Sequence, residues 1–197
     1  VIPSVSGLRV CEFGDQIFWV HTLKRFGLTQ EVARDWYLDC GAKEYVSIDM
    51  NGEHGAIRMD LSKAFWPQAV ADTVMYERFD VVTNIGTSEH VDPGPGQDAL
   101  EAQYNCFKNA YDLCKVGGLM IHQLPPVGQW LDHCRIRYHD ELPAALARDF
   151  RCEVVNNERV NLATLGGHVD YLAFCLRKGD SGLPPRSDWL DAVEVTE

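Results

Sequence analysis

The chain has 197 residues, 46% hydrophobic and 24% charged, a composition that predicts one globular domain with a sizeable core. Its 18 basic and 29 acidic residues give a formal net charge of −11, which opposes sequence-independent nucleic-acid binding, and no basic patch denser than Lys24-Arg25 or Arg135 to Arg137 offsets it. The longest apolar runs fall far short of a bilayer span, no signal-peptide pattern precedes them, and seven scattered cysteines without a CxxC pair fit a reducing, cytoplasmic setting better than a zinc ribbon.

In chain order, Val1 to Gly7 reads as a lead-in and Leu8 to Phe13 as a first strand that stops at Gly14. One helix is predicted from Asp15 to Phe26. A second runs from Gln30 to Cys40, where Val32, Trp36 and Cys40 share a face, with Thr29 suited to its N-cap and Gly41 to its C-terminal stop. Tyr45 to Asp49 and Ala56 to Asp60 read as short strands, and the region from Ser62 to Glu77, interrupted by Pro67, as a partial helix. Phe79 to Ile85 is apolar and β-branched, the pattern of a central strand. The clearest helix spans Asp98 to Cys114, with Leu100, Tyr104, Phe107, Tyr111 and Cys114 on one face and Gly117-Gly118 as its terminator. A buried strand from Leu119 to Leu124 and a helix from Asp140 to Asp149 follow. Cys152 to Glu158 and Asp170 to Arg177 are then joined by a connection too short for a crossover helix, so this last pair is expected to be antiparallel.

Alternating strands and helices predict an α/β fold: a three-layer α/β/α sandwich around a mainly parallel, seven-stranded sheet, closed by the C-terminal antiparallel strand pair. Residues 1–178 read as one domain and 179–197 as an acidic tail that covers the surface or is disordered. In such a sheet a ligand sits beyond the carboxyl ends of the strands. Three of those ends carry acids: Glu12, Asp49 and Asp60. Each alone is as readily a turn or helix cap. Together they fit a nucleoside site, with Asp49 accepting ribose hydroxyls, Asp60 accepting an amino group of a base, and Gly14 admitting close backbone approach. The glycine-rich pyrophosphate loop is absent and Asp15 would repel a pyrophosphate, so a sulfonium nucleoside fits better than a dinucleotide.

The same segments carry a resemblance. Glu12-Phe13-Gly14 looks like a reduced form of the glycine motif of the class I, Rossmann-like S-adenosylmethionine-dependent methyltransferases. Ser47-Ile48-Asp49 resembles their ribose-binding strand end and Arg58-Met59-Asp60-Leu61 their adenine-binding one. Phe79 to Thr83, continued by Gly86 to Val91, resembles the "FDVV…EHV" motif of the small-molecule members, and Lys115 to Leu119 the turn before the fifth strand. The resemblance spans roughly residues 8 to 177. Two departures stand out. Asp15 and Gln16 replace further glycines, and the interval from Gly14 to Asp49 is long against the roughly 20 positions of a dinucleotide fingerprint, which fits an added helix.

The resemblance implies S-adenosylmethionine as cofactor, held by Glu12, Gly14, Asp49, Met50, Asp60, Leu61, Asn84 and Glu89, and methyl transfer to an oxygen, nitrogen or carbon nucleophile of a small-molecule acceptor. His90, after the fourth strand, is the candidate general base; the plainer alternative is that it packs in its turn and orients Glu89. His122, Trp130, His133 and Tyr138 are candidate acceptor-binding residues, lining a pocket under a loop. The spacing of His122, His133, Cys134 and His139 matches no standard ligand pattern, so pocket lining is preferred to a metal there. Two other functions remain open on the residues alone: a nucleoside-binding or regulatory protein without catalysis, and a nicotinamide-dependent oxidoreductase, against which the missing GxGxxG counts.

Overall fold

The structure, a computed structural model, describes residues 4–18, 23–24, 27–65, 75–94, 97–130, 132–164, 167–180 and 188–196. Its centre is strand β1 (Arg9–Phe13), in which Val10, Cys11 and Phe13 are fully buried, as expected of a parallel strand covered on both faces. β1 pairs in parallel with β2 (Glu44–Asp49) on one side and β4 (Phe79–Ile85) on the other. β3 (Ile57–Arg58) adds to β2, and β5 (Cys114–Leu124) to β4, both in parallel. The sheet closes with β8 (Gly167–Arg177), antiparallel to β5, and β7 (Glu153–Thr164), antiparallel to β8. The order is β3-β2-β1-β4-β5-β8-β7. This is the expected seven-stranded, mainly parallel sheet, and it reverses direction of growth between β1 and β4, opening a crevice at their carboxyl ends.

Helix α1 (Ala33–Asp39) is shorter than its pattern suggested. Thr29 does not cap it. Val32 is extended (φ −101°, ψ 134°) and precedes the first turn, because Ile17 bridges Val32 and Phe18 N–H donates to Glu31 O (2.7 Å). The same pairing overturns the start of the helix read from Asp15: Asp15 to Phe18 run extended, and residues 19–22 and 25–26 lie outside the described residues. Gly41, at φ +85°, ends α1 as expected. The partial helix read between Ser62 and Glu77 falls largely on residues 66–74, also outside the described ones.

Helix α2 (Ala99–Leu113) is capped by Asp98, whose carboxylate accepts Glu101 N–H at 2.8 Å. It buries Ala102, Cys106, Phe107, Ala110, Tyr111 and Leu113 in the core. Gly117-Gly118 does not terminate it; β5 begins at once, at Cys114, which pairs with Phe79. Gly118 answers a different need, since a Cβ there would lie 3.0 Å from Asp80 O and 2.8 Å from Cys114 Sγ. Helix α3 (Leu142–Asp149) buries Leu142, Ala145 and Leu146.

A second, two-stranded antiparallel sheet joins β6 (Ile136–Tyr138) to β9 (Val193–Val195). Part of the stretch read as a surface tail therefore belongs to the fold. A 3-10 turn at Asp188–Ala192 sinks Trp189 to 0% exposure against Phe107 (ring centroids 5.2 Å) and Phe150 (6.1 Å), and Trp189 N–H donates to Asp149 Oδ2 (3.0 Å). Among the described residues no helix is long and apolar enough to cross a membrane.

Candidate active site

The crevice begins where β1 runs out. Gly14 sits at φ +88°, and a Cβ on it would meet Thr87 Oγ1 at 2.5 Å and Gln16 Nε2 at 2.8 Å, so only glycine fits. Thr87 donates its hydroxyl to Phe13 O (2.7 Å), and Gln16 donates from Nε2 to Ile85 O (2.9 Å) and Thr87 Oγ1 (3.2 Å). The loop after β1 is thus latched to the loop after β4 by the side chain that stands where a further glycine was expected. Asp15 N–H donates to Asp49 Oδ2 (3.1 Å), and the Asp15 carboxylate meets His54 Nδ1 at 2.5 Å, which raises the imidazole pKa above its ordinary value.

Beside this latch lies a cavity of about 430 Å³, lined by Asp49, Met50, Asp60, Leu61, Ser62, Lys63, Thr87, His90, Val91, Asp92, Pro93 and Gln97. The structure thus brings together Asp49, Met50, Asp60, Leu61 and His90 of the residues singled out from the sequence. The acids also hold turns. Asp49 Oδ1 accepts Asn51 N–H (2.8 Å), and Asp60 Oδ1 accepts Ser62 N–H (2.9 Å). A carboxylate offers about four lone-pair sites, so each keeps capacity for a ligand.

Glu12 does not line this cavity. It is 3% exposed beneath the crevice, accepting the Tyr45 hydroxyl and, at 3.4 Å, that of Thr83. Burial outweighs those bonds and pushes its carboxyl up to about 7. Asn84 is buried as well. Its Nδ2 donates to Ser88 Oγ (2.9 Å) and faces His122 Nδ1 (3.2 Å), and its Oδ1 accepts Ser88 N–H (3.0 Å).

Two candidate acceptor-binding residues lie in the core rather than in a pocket wall. His122 is 2% exposed between Phe107 (5.3 Å) and Phe174 (4.7 Å), and burial brings its pKa down to about 3. Alternation along β5 puts it on the face of Met120 and Leu124. Tyr138 is fully buried, and its hydroxyl bridges Ser88 Oγ (2.8 Å) and Gln103 Oε1 (2.7 Å). Gln103 Nε2 donates to Ser88 O (2.7 Å) and Val91 O (2.9 Å), so this network fixes the 3-10 turn Ser88–His90.

That turn presents Glu89 and His90. Glu89 is 3% exposed, and burial pushes its carboxyl up to about 7. His90 Nε2 faces His133 Nε2 at 3.1 Å, and Trp130 packs against both His133 and Tyr171 with centroids 5.1 Å apart. Partial burial and His133 hold the His90 pKa below its ordinary value. The histidines grouped by sequence are therefore separated: His133 joins His90 while His122 goes to the core. Sequence reasoning passed over Gln16, Ser62, Lys63, Thr87 and Gln97. Thr87 and Gln16 lay inside the motifs already marked; for Gln97, two residues before a helix, the sequence offers no signal.

No family model matches the chain, and no curated protein matches it in sequence. Solved structures do. One is a SAM-dependent methyltransferase from Methanosarcina mazei (TM-score 0.58, 10% identity, covering 88% of this chain and 93% of that one). Another is a SAM-dependent methyltransferase from Archaeoglobus fulgidus (TM-score 0.57, 15% identity, 89% of each chain). A third is the 1,6-didemethyltoxoflavin-N1-methyltransferase of Burkholderia thailandensis, solved with 1,6-didemethyltoxoflavin and S-adenosylhomocysteine (TM-score 0.56, 14% identity, 89% of this chain and 72% of that one). The chain has the class I methyltransferase fold. Within that methyltransferase fold, the departures in the first motif have a local account: Gln16 and Thr87 pin the β1 and β4 loops to each other, and Asp15 fastens the β1 loop to Asp49.

Proposed function

We propose that the chain binds S-adenosylmethionine in this cavity and transfers its methyl group to a small-molecule nucleophile. The observation that carries the reading is that Asp49 and Asp60, after successive strands, line one cavity beside Gly14 in a methyltransferase fold. Asp49 takes the ribose hydroxyls, Asp60 and Leu61 the adenine, and Met50 covers the nucleoside from the solvent side. Asn84 acts from beneath, by holding the Ser88–His90 turn, and Glu12 by tying β1 to the neighbouring strands through Tyr45 and Thr83. The acids of the lining favour a cationic sulfonium over an anionic phosphate ligand.

Methyl transfer is an in-line displacement, so the protein's chief contribution is alignment of nucleophile, methyl carbon and sulfur. His90 stands at the acceptor end. Its lowered pKa leaves the ring neutral at pH 7, with a lone pair to offer. Trp130 and His133, adjoining His90, are proposed to border the acceptor. The crystal structure of the S-adenosylhomocysteine complex tests this. The ribose hydroxyls are expected within hydrogen-bond distance of Asp49, the adenine against Leu61 and the sulfur directed toward His90. A ligand seated elsewhere would overturn it.

A further inference from the structure

Glu89 is the anomaly of the site. A carboxyl group buried this deeply is normally paired or hydrogen-bonded. Its Oε2 has no hydrogen-bond partner, and among the described residues no lysine or arginine forms an ion pair with it. Next to it, two imidazoles turn ring nitrogens toward each other. One carboxylate oxygen of Glu89 and one ring nitrogen each of His90 and His133 all lie within 4.8 Å of one another.

We propose that Glu89, His90 and His133 form a binding site for a divalent transition-metal ion of the zinc type. Two imidazoles and one carboxylate are the donor set of open, three-ligand zinc sites, which leave a position for water or substrate. The spacing of the two imidazoles is right for a shared ion, with the Glu89 carboxylate within 4.8 Å of both. Nitrogens 3.1 Å apart, each about 2.0–2.1 Å from one ion, subtend about 100° there, between octahedral and tetrahedral values. The surroundings supply the outer support such ligands need: the Ser88–His90 turn is fixed by Gln103 and Tyr138, and Trp130 packs on His133. An ion would also supply the positive charge that Glu89 lacks.

The sequence hid this site because its ligands come from two distant segments, the turn after β4 and the loop after β5. The inference rests on the proposed function at the acceptor end, where His90 lines the cavity, and gives His90 a ligand's role in place of the general base's. There the lone pair of His90 goes to the ion. An acceptor hydroxyl bound at the open position loses its proton to solvent; its oxygen forms the new bond to the methyl carbon as the carbon–sulfur bond breaks, and that electron pair stays on sulfur as a neutral thioether.

The test is titration of the chelator-treated, full-length chain with Zn2+ by calorimetry and with Co2+ by visible absorption, with S-adenosylhomocysteine binding measured in parallel. The expected result is one ion per chain, a Co2+ ligand-field spectrum, and a loss of metal affinity of more than about 100-fold in His133→Ala and Glu89→Gln. His54→Ala, in the separate group Asp15, Glu53 and His54, is expected to leave that affinity unchanged. Circular dichroism establishes that each variant is folded. Failure of the folded wild-type chain to bind either ion, binding that survives in both ligand variants, or loss in His54→Ala would overturn the site. Metal binding without S-adenosylhomocysteine binding would support the site while refuting the cofactor.

Discussion

Glu12 makes the pH dependence of stability calculable. Its carboxyl, 3% exposed, titrates near 7 in the folded chain against an ordinary value of 4.5. The folded state therefore holds this proton more tightly than the unfolded one. Stability is unaffected by this group below about pH 4, falls as the pH climbs from there to about 7, and stays reduced above, by about 3 kcal/mol at roughly 1.4 kcal/mol per unit. Glu12→Gln keeps the acceptor for the Tyr45 hydroxyl and abolishes the titration. Urea unfolding of both proteins from about pH 5 to 9 is the assay. The variant is expected to gain stability over wild type steadily as the pH rises, until the gap levels off near 3 kcal/mol. Parallel curves for the two proteins would refute the reasoning, because they would place the Glu12 pKa at its ordinary value in the fold.

Three further outcomes follow from burial and backbone geometry. Trp189→Ala should cost about 3–5 kcal/mol in chemical unfolding, because the ring is wholly buried against Phe107 and Phe150; a loss under 1 kcal/mol would return the C-terminal stretch to the surface. The His122 ring should keep the NMR signals of neutral imidazole across the interval in which ordinary histidines titrate, about pH 5 to 8, and a normal titration would expel it from the core. Gly14→Ala imposes left-handed backbone strain of about 1–2 kcal/mol and a contact with Thr87, so S-adenosylhomocysteine affinity should drop by about 10-fold; unchanged affinity would detach the latch from the cavity.

What the sequence made legible was local chemistry. Phe79 to Ile85 is the strand its β-branched run predicts, the helix read from Asp98 runs over Ala99–Leu113, and the strand-end acids Asp49 and Asp60 share one cavity. What it concealed depended on partners far along the chain. Asp15 to Phe18 carry apolar residues compatible with a helix, but Ile17 finds Val32 and the segment stays extended. Trp189 sits in an acidic stretch whose charges suggest solvent, and only the packing of α2 and α3 supplies its pocket. His122 was readable after all: two-residue alternation sets it with Met120 and Leu124, and weighing that period against the proximity of other histidines would have assigned it to the core. His133 was not, since nothing in its neighbourhood points to His90, 43 residues earlier.

The central claim is that the cavity beside Gly14 holds the nucleoside of S-adenosylmethionine. Calorimetric titration with S-adenosylhomocysteine, run beside NADH and with Asp49→Ala, addresses it most directly. The account predicts one site of micromolar affinity in the wild-type chain, marked weakening in the variant and no heat from NADH. Absence of binding by folded wild-type protein, or undiminished binding by Asp49→Ala, would contradict it.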